Sequence, residues 1–414
     1  MSAQDVIETL ALLLAAGLGS ELLAGLLRVP RMVVLLAVGA LLGPEAADLL
    51  DLPLDSTAVQ LLLTLGVSMI LFHGGLGLSA SVLRPVAVGL GLLAVPGVVL
   101  TALVTGTVAT LAFDLPFEAG LLVGAVLAPT DPAILIPLFE RMRLRAKVAQ
   151  TVVAESALND PTGAVLALAI AAFVLGEGDS LADPFVEFVV DLGISTGLGI
   201  VFGVLLALVI SRQRSGVWRE SSAVAVLLVV TAGYFTIDSA GGSGYLGAFI
   251  AGFIVSNMDE LHLGMHSAHE VEMRSFVETT ADVMVMFVFL TLGANLPFGD
   301  IADNALPALL TVAALILVAR PLTVLACLLP NRGGGWERRE LAFVAWTRET
   351  GVVPAAIAGV LIAEGVPYET EIVTVVAVAI VVTLLVQSTT KAWLARRLGL
   401  DQAEPVQENP DADG

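Results

Sequence analysis

An apolar run at residues 148–175 is interrupted by a polar hexapeptide, Glu155-Ser156-Ala157-Leu158-Asn159-Asp160. The run is longer than the roughly 20 residues that a helix needs to cross a bilayer, so the sequence predicts a membrane-spanning helix. On insertion scales, an aspartate at the centre of such a helix costs about 2.5–3.5 kcal/mol. Carboxylates at this depth typically bind ions or protons. The alternative is a buried polar cluster that only holds helices together.

The composition is that of a polytopic membrane protein. Of the 414 residues, 57% are hydrophobic and 14% are charged, whereas soluble domains average about 45–50% and about 25%. The net charge of −20 argues against nucleic-acid binding, which needs basic patches. The single cysteine, Cys327, excludes an intrachain disulfide. We expect no cofactor and no resident metal ion.

Apolar runs of membrane-spanning length recur along the whole chain. The second and ninth are short and are expected to be tilted, broken or re-entrant. The runs are 5–27, 31–43, 57–78, 85–113, 118–139, 148–175, 185–211, 221–238, 243–256, 276–296, 305–329, 341–363 and 370–394. We therefore predict an all-α polytopic membrane protein with about 13 transmembrane helices.

The basic residues between these runs fall on one side of the membrane. They occupy only the odd-numbered loops and the C-terminal end of the chain, where Lys391, Arg396 and Arg397 lie. Basic loops are typically cytoplasmic, which predicts the N-terminus outside and the C-terminus in the cytoplasm. We expect residues 1–400 to form one transmembrane domain and residues 401–414 to form a short disordered cytoplasmic tail.

The fifth run contains Thr130-Asp131 between two prolines, Pro129 and Pro132. Because proline removes a backbone donor and blocks the carbonyl four residues earlier, the helix is expected to break there. Free carbonyls, a hydroxyl and a carboxylate are ligands that suit a hard cation. The alternative is a simple kink in which Asp131 caps the second half of the helix.

The twelfth run contains a second polar interruption, from Thr347 to Pro354. Interrupted helices in corresponding positions of two halves indicate the binding site of a secondary transporter. The spacing predicts inverted repeats that pair helices four to six with helices eleven to thirteen. The two interrupted helices are then expected to cross.

On a helix, Glu155 and Asn159 stack at a spacing of four, as do Ser156 and Asp160. The following Pro161 predicts irregular backbone at Asp160.

The sequence contains two further polar features whose roles it does not decide. Arg320 is expected to pair with Glu278 or Asp282, because a buried arginine needs a partner. His262, His266 and His269 favour either a solvated linker or a metal or pH-sensing site.

Together, the hexapeptide, Thr130-Asp131-Pro132 and Arg348 resemble the NhaP-type monovalent cation/proton antiporters of the sodium/hydrogen exchanger family. Two further motifs, at residues 72–76 and 289–293, extend the resemblance over the whole chain. The resemblance implies that residues 1–400 are a cation/proton exchanger domain. It also implies a homodimer in the plasma membrane, with monovalent cations and protons as the transported partners.

The resemblance also implies roles for the polar residues. Asp160 would bind either a cation or a proton, and Ser156 and the backbone carbonyl of Thr130 would help to coordinate the cation. Asp131 would add negative charge or accept hydrogen bonds from the crossing backbone.

The remaining polar residues would support that carboxylate. Glu155 would form an ion pair with Arg348, steadied by Asn159, although Glu349 could compete for the arginine. An asparagine at position 159 implies electroneutral one-for-one exchange of Na⁺ for H⁺. The alternatives are K⁺/H⁺ exchange within the same fold, a passive cation channel and an intramembrane hydrolase.

Overall fold

The computed structural model describes residues 3–27, 29–54, 56–130, 144–176, 180, 182–212, 217–265, 267–296, 298–330 and 335–400. Within these ranges the elements are all helices. Their bounds are α1 Ala3–Leu27, α2 Arg31–Leu42, α3 Thr57–Leu76, α4 Ala80–Leu83, α5 Ala87–Ala94, α6 Pro96–Phe113, α7 Phe117–Val126, α8 Ala146–Val174, α9 Asp183–Ile210, α10 Ser222–Ser239, α11 Gly244–Ser256, α12 Ser267–Ala294, α13 Phe298–Ala314, α14 Arg320–Leu328, α15 Arg338–Trp346, α16 Val352–Ala363, α17 Glu369–Val382 and α18 Ser388–Leu398. The predicted tail at 401–414 and His266 lie outside the described residues.

The predicted all-α polytopic fold is confirmed. The described residues include nine helical spans that are long and apolar enough to cross a membrane. Four shorter apolar helices accompany them, namely α2, α7, α11 and α16. The second and ninth predicted runs are indeed short, since α2 has 12 residues and α11 has 13 residues. The count of thirteen crossings stays a prediction.

Two π-helical turns interrupt the last two long spans. One, Leu315–Ala319, joins α13 to α14, and the other, Thr383–Gln387, joins α17 to α18. Single π turns inside α-helices often accompany functional sites. Here each turn lies beside polar residues that contact the interrupted helices described below.

Glycines allow α3 and α11 to approach closely. A Cβ atom on Gly75 would lie 2.1 Å from the Phe249 carbonyl oxygen, and one on Gly252 would lie 2.1 Å from the Phe72 carbonyl oxygen. Small residues of this kind let helix backbones approach in membranes, where packing replaces the hydrophobic effect between helices. The pairing of α3 with α11 therefore depends on both glycines.

The helices of the fourth and eleventh predicted runs, α5 and α6 on one side and α14 on the other, are joined by polar side chains. Pro96 at the start of α6 cannot donate a hydrogen bond to the Leu92 carbonyl, four residues earlier. The Cys327 thiol of α14 donates to that carbonyl instead, with a distance of 3.2 Å. One turn further on, the hydroxyls of Thr101 and Thr323 are 3.0 Å apart. These contacts fix α6 and α14 against each other beside the interrupted helices.

Ion pairs join the starts of α8 and α15, and their basic partners are partly exposed. Lys147 contacts Glu340 at 2.6 Å and Arg145 contacts Glu337 at 2.9 Å. Glu337 and Glu340 also form a capping box at the first turn of α15. Hydrogen bonds from Arg339 and Arg145 lower the pKa of Glu337 to about 2, so this carboxylate stays ionised near neutral pH.

The close approach of α3 and α11 predicts different effects for two adjacent glycines. We expect Gly75→Ala to lower the stability of the protein by about 1–3 kcal/mol, because the new methyl group overlaps the backbone of α11. Gly74→Ala is the matched control, since a Cβ there meets nothing within 4 Å. Its stability should be unchanged or higher, because alanine favours helix by up to about 1 kcal/mol over glycine. Thermal unfolding of the purified variants measures both, and equal Tm values would contradict the predicted contact.

A candidate cation site at two helix breaks

The first interruption follows α7, which ends at Val126. Residues 127–130 are not helical, which confirms the predicted break on its N-terminal side. The Pro129 ring packs on α8 at Gly163, where a Cβ atom would lie 2.5 Å from the proline Cγ. Gly163 therefore allows the break to approach α8 closely. Asp131, the other predicted acid of this segment, lies outside the described residues.

Thr130 at this break is surrounded by the hexapeptide. Its backbone N–H donates to Asn159 Oδ1 at 3.1 Å, and its hydroxyl accepts from Asn159 Nδ2 at 2.9 Å. The same hydroxyl lies 2.8 Å from Ser156 Oγ. All three side chains are buried. The structure therefore brings together Thr130 and Ser156, the two residues predicted to coordinate a cation, and Asn159 binds Thr130 rather than a Glu155–Arg348 pair.

Asp160 follows Asn159 on α8 and is 8% exposed, whereas Ser156 and Asn159 are 2% exposed. It is thus the most accessible polar group of the hexapeptide, although it is still buried. Asp160 lies one helical turn after Ser156 on the same face of α8, and the Ser156 hydroxyl contacts Thr130 at the break. The arrangement provides anionic and neutral oxygen atoms, which are the ligands of hard cations.

The predicted irregular backbone at Asp160 is wrong. The helix α8 continues through Pro161 without interruption. The hydroxyl of Thr162, in the next position, lies 2.7 Å from the Ala94 carbonyl and 3.1 Å from the Leu158 carbonyl. Neighbouring helices and threonine side chains allow proline within a transmembrane helix, and here Thr162 ties α8 to the end of α5.

The second interruption spans residues 347–351, between α15 and α16, as predicted. Its Arg348 donates from Nη2 to the carbonyls of Leu127 and Ala128, at 2.6 and 2.8 Å. These carbonyls follow the end of α7, where the helix dipole is negative and backbone acceptors are free. The two interrupted helices therefore meet, and Arg348 caps the first of them.

The predicted ion pair between Glu155 and Arg348 is wrong. Glu155 instead pairs with Arg320, which donates through both terminal nitrogens, with a distance of 2.8 Å for Nη2 to Oε2. Arg320 also donates to the carbonyls of Val344 and Thr347, at 3.2 and 3.1 Å. It therefore caps the end of α15 in the way that Arg348 caps α7.

The same geometry overturns the predicted pairing of Arg320 with Glu278 or Asp282. Arg320 is the first residue of α14 after the π turn. Its guanidinium contacts α8 and the end of α15. An arginine in this position satisfies two backbone carbonyls and a carboxylate at once, because its donors form a planar fork.

A second buried ion pair joins Glu349 to Lys391. The basic residues near the C-terminus were expected on the cytoplasmic side of the membrane, but the structure places Lys391 inside α18 with no exposed surface. Glu349 therefore has its own cation and does not compete for Arg348.

Sequence reasoning missed two other side chains at the second break. The Thr350 N–H donates to Thr383 Oγ1 at 3.0 Å, and Gln387 Nε2 donates to the Trp346 carbonyl at 2.7 Å. The spacing of polar residues could have identified these side chains, because positions 383, 387 and 391 are four residues apart and share one face of a helix.

Residues 10–397 match the transmembrane region of the sodium/hydrogen exchanger family. The chain belongs to this family. That result confirms the resemblance derived from the hexapeptide and the two interruptions.

Curated relatives include antiporters for two different cations. The K(+)/H(+) antiporter NhaP2 of Shewanella oneidensis is 30% identical over 398 residues, which are 93% of this chain and 66% of that protein. This chain thus spans slightly less than two thirds of that relative. The probable Na(+)/H(+) antiporter 2 of Methanocaldococcus jannaschii is 27% identical, over 86% of this chain and 84% of that protein.

Solved structures of one archaeal antiporter share the fold. The sodium proton antiporter MjNhaP1 from Methanocaldococcus jannaschii at pH 8 aligns with a TM-score of 0.81 and 24% identity. The alignment covers 95% of this chain and 98% of that one. An electron-microscopy map of the same antiporter aligns with a TM-score of 0.74 and 26% identity.

The Glu155–Arg320 pair predicts specific energetic coupling. We expect Glu155→Gln and Arg320→Met each to destabilise the protein by about 3–5 kcal/mol, because each leaves an uncompensated buried charge or unsatisfied carbonyls. The double variant should lose clearly less than the sum of the two. Thermal unfolding of the four proteins in this double-mutant cycle measures the coupling.

The control cycle replaces Arg320→Met with Arg348→Met. Since Arg348 binds carbonyls of the first break and forms no ion pair with Glu155, its loss should couple to Glu155→Gln more weakly than the loss of Arg320 does. Strong coupling to Arg348 and none to Arg320 would restore the pairing that the structure rejects.

Proposed function

We propose that this protein exchanges Na⁺ for H⁺ across the membrane by competition at Asp160, with alternating access. The observation that carries the proposal is the position of Asp160, a buried carboxylate one helical turn after Ser156, whose hydroxyl contacts Thr130 at a helix break. The chain's family and the antiporters among its relatives support the same reaction class.

Competition follows from the chemistry of a buried carboxylate. Burial favours the protonated acid, whereas a bound cation favours the ionised form. A proton and an alkali cation therefore exclude each other at Asp160. If the bundle rearranges only when this charge is neutralised, each transport step carries one or the other ion, and the net result is antiport.

The neighbouring charges support one-for-one exchange. Glu155 is neutralised by Arg320 and Glu349 by Lys391, while Asn159 carries no charge. Asp160 is then the carboxylate that changes state during the cycle. Because a bound Na⁺ and a bound H⁺ give the site the same net charge, the exchange is electroneutral.

The K⁺/H⁺ alternative is favoured by one comparison. The Shewanella relative is described as a K(+)/H(+) antiporter, and it shares the transmembrane region with this chain. Ion choice depends on cavity size and on the number of ligands. We expect a multi-pass protein in the plasma membrane, acting as a homodimer, with its N-terminus outside and its C-terminus in the cytoplasm.

The first test is proton flux in proteoliposomes. With an acidic lumen and a pH-sensitive dye, external Na⁺ should dissipate the pH gradient for the wild-type protein, and Asp160→Asn should abolish this flux. Asp114→Asn is the matched control, because Asp114 is an exposed helix cap in the left-handed region that asparagine adopts readily. Activity of Asp160→Asn equal to wild type would disprove the proposal, and dissipation by K⁺ alone would select the alternative ion.

Electroneutrality has a separate test at Asn159. Collapsing the membrane potential with the permeant anion thiocyanate should leave the initial wild-type rate unchanged. Asn159→Asp keeps the acceptor for the Thr130 N–H and adds a second carboxylate, so its residual flux should become sensitive to thiocyanate. A wild-type rate that rises several-fold with thiocyanate would contradict one-for-one exchange.

A further inference from the structure

An exposed polar face runs along the first half of α12. From Ser275 inward, the exposed residues of this helix are all polar, namely Ser275, Glu278, Thr279 and Asp282. Beyond Asp282, none of the described residues of α12 is exposed. The full set of exposed positions has the spacing of one helix face, about 21 Å long, and consists of 268, 271, 272, 275, 278, 279 and 282.

This face reaches the middle of a membrane-crossing segment. The span of α12 is Ala268–Ala294, and Asp282 lies one residue from its midpoint. The arginine that was expected to neutralise Glu278 or Asp282 pairs with Glu155 instead. Intramembrane carboxylates almost always face the bundle interior or a water-filled cavity, because exposure to lipid is costly. We therefore expect the exposed face of α12 to contact water rather than lipid.

His73 of α3 borders the same space. Arg274 Nη1 donates to the Leu76 carbonyl at 3.1 Å, so the end of α3 meets the first turns of α12. Because α3 ends and α12 begins at this end of the bundle, one turn further into the membrane places His73 level with Glu278. His73 is exposed, and the carboxylates of Glu278 and Asp282 act on it electrostatically. Two helices thus contribute polar side chains to one exposed cleft.

The cleft opens at the end of the bundle where α8 begins. Since α8 and α9 are consecutive spans, α9 ends where α8 begins. The Arg212 N–H, just after α9, donates to the Gly264 carbonyl, just before α12, at 3.0 Å. Helix α12 therefore begins at that same end. Asp160 and Asp282 each lie at the middle of their own span, so they reach a similar depth.

We propose that the polar face of α12 lines a water-filled entrance from this end of the bundle to the depth of Asp160, and that Asp282, at its inner end, attracts the cations that enter. A cleft that is lined by charges of one sign and bounded by low-dielectric walls concentrates ions of the opposite sign. The role of Asp282 rests on the proposed function, whereas the existence of the entrance does not.

The entrance is tested by cysteine labelling, which does not depend on transport. The background variant Cys327→Ser removes the single native cysteine and keeps a donor for the Leu92 carbonyl. In this background, Thr279→Cys should react with a membrane-impermeant cationic methanethiosulfonate in inside-out membrane vesicles, and not in right-side-out vesicles, because basic loops predict that α12 begins in the cytoplasm.

Val201→Cys is the matched control for labelling. Val201 is an exposed apolar residue of α9, nine positions from the end of that helix at Ile210. It is therefore closer to the same membrane surface than Thr279, but a thiol that faces lipid should not react. Reaction of Thr279→Cys from neither side, or only in right-side-out vesicles, overturns the entrance. Disulfide-linked dimers of Thr279→Cys also overturn it, because the polar face would then lie against a second copy of the chain.

The role of Asp282 is tested by flux kinetics in inside-out vesicles, with Na⁺ or K⁺ added at the cytoplasmic face. Asp282→Asn should raise the KM for the driving cation several-fold at low ionic strength with kcat unchanged, and Asp282→Glu should restore the wild-type KM. The difference should shrink when choline chloride shortens the Debye length. Asp303→Asn is the charge-matched control, because Asp303 is an exposed carboxylate near the start of α13, at the opposite end of the bundle.

The two proposals fail in different ways. A KM for Asp282→Asn equal to that of the wild type overturns the role of Asp282. Glu278→Gln, one turn nearer the opening, repeats the comparison if Asp282→Asn does not fold. Flux that persists in Asp160→Asn disproves the proposed function, while the labelling of Thr279→Cys is unaffected by that result.

Discussion

Broken helices inside a membrane leave backbone carbonyls that neither water nor the next turn can satisfy. Each such group costs several kcal/mol in a lipid environment. In this protein, two arginines donate to these carbonyls, and each also counters the negative end of a helix dipole. Arg348 binds the end of α7 and Arg320 binds the end of α15. Without them, the irregular segments that carry Thr130 and Thr350 would have no stable position.

The arginines also determine which carboxylate of the hexapeptide is held in an ion pair. Arg320 uses its remaining donors on Glu155, so this acid is locked into the frame of the bundle. Arg348 is committed to backbone carbonyls. The polar centre is therefore built from groups that hold the two interruptions in place, and Asp160 lies on α8 one turn after Ser156. Asn159 holds Thr130 at the first break, and the next residue along the helix, Asp160, is the proposed ion-binding carboxylate.

The sequence predicted the elements well because their signals are local. Apolar runs mark the spans, and Pro129 and the polar residues after Trp346 mark the interruptions. The ion-pair partners of the buried charged residues were harder to predict. Two arginines lie in apolar runs, and hydropathy does not say which one reaches Glu155. That choice depends on the π turn before Arg320 and on how α14 meets α15.

Local rules also failed where neighbours overrode them. Proline at position 161 predicts a break, but α8 is held straight by its packing and by Thr162. Lys391 was expected on the cytoplasmic side, yet α18 continues to Leu398 and the structure buries this lysine. In both cases tertiary contacts replaced the interactions that the local sequence lacks. The spacing of positions 383, 387 and 391 was the one signal that pointed to the buried face.

The ion pairs of this protein fall into two groups that respond differently to salt. The Arg145–Glu337 pair at the starts of α8 and α15 is accessible, with side-chain exposures of 32% and 46%, so dissolved ions screen it over a Debye length of about 10 Å at 0.1 M salt. The pairs at the interruptions, Glu155–Arg320 and Glu349–Lys391, are shielded from the same ions. A rising salt concentration therefore weakens the electrostatic contact between the starts of α8 and α15. It leaves the buried ion pairs at the interruptions unchanged. Ionic strength therefore changes the ion pairs at the surface of the protein, whereas the buried ion pairs depend only on its own side chains.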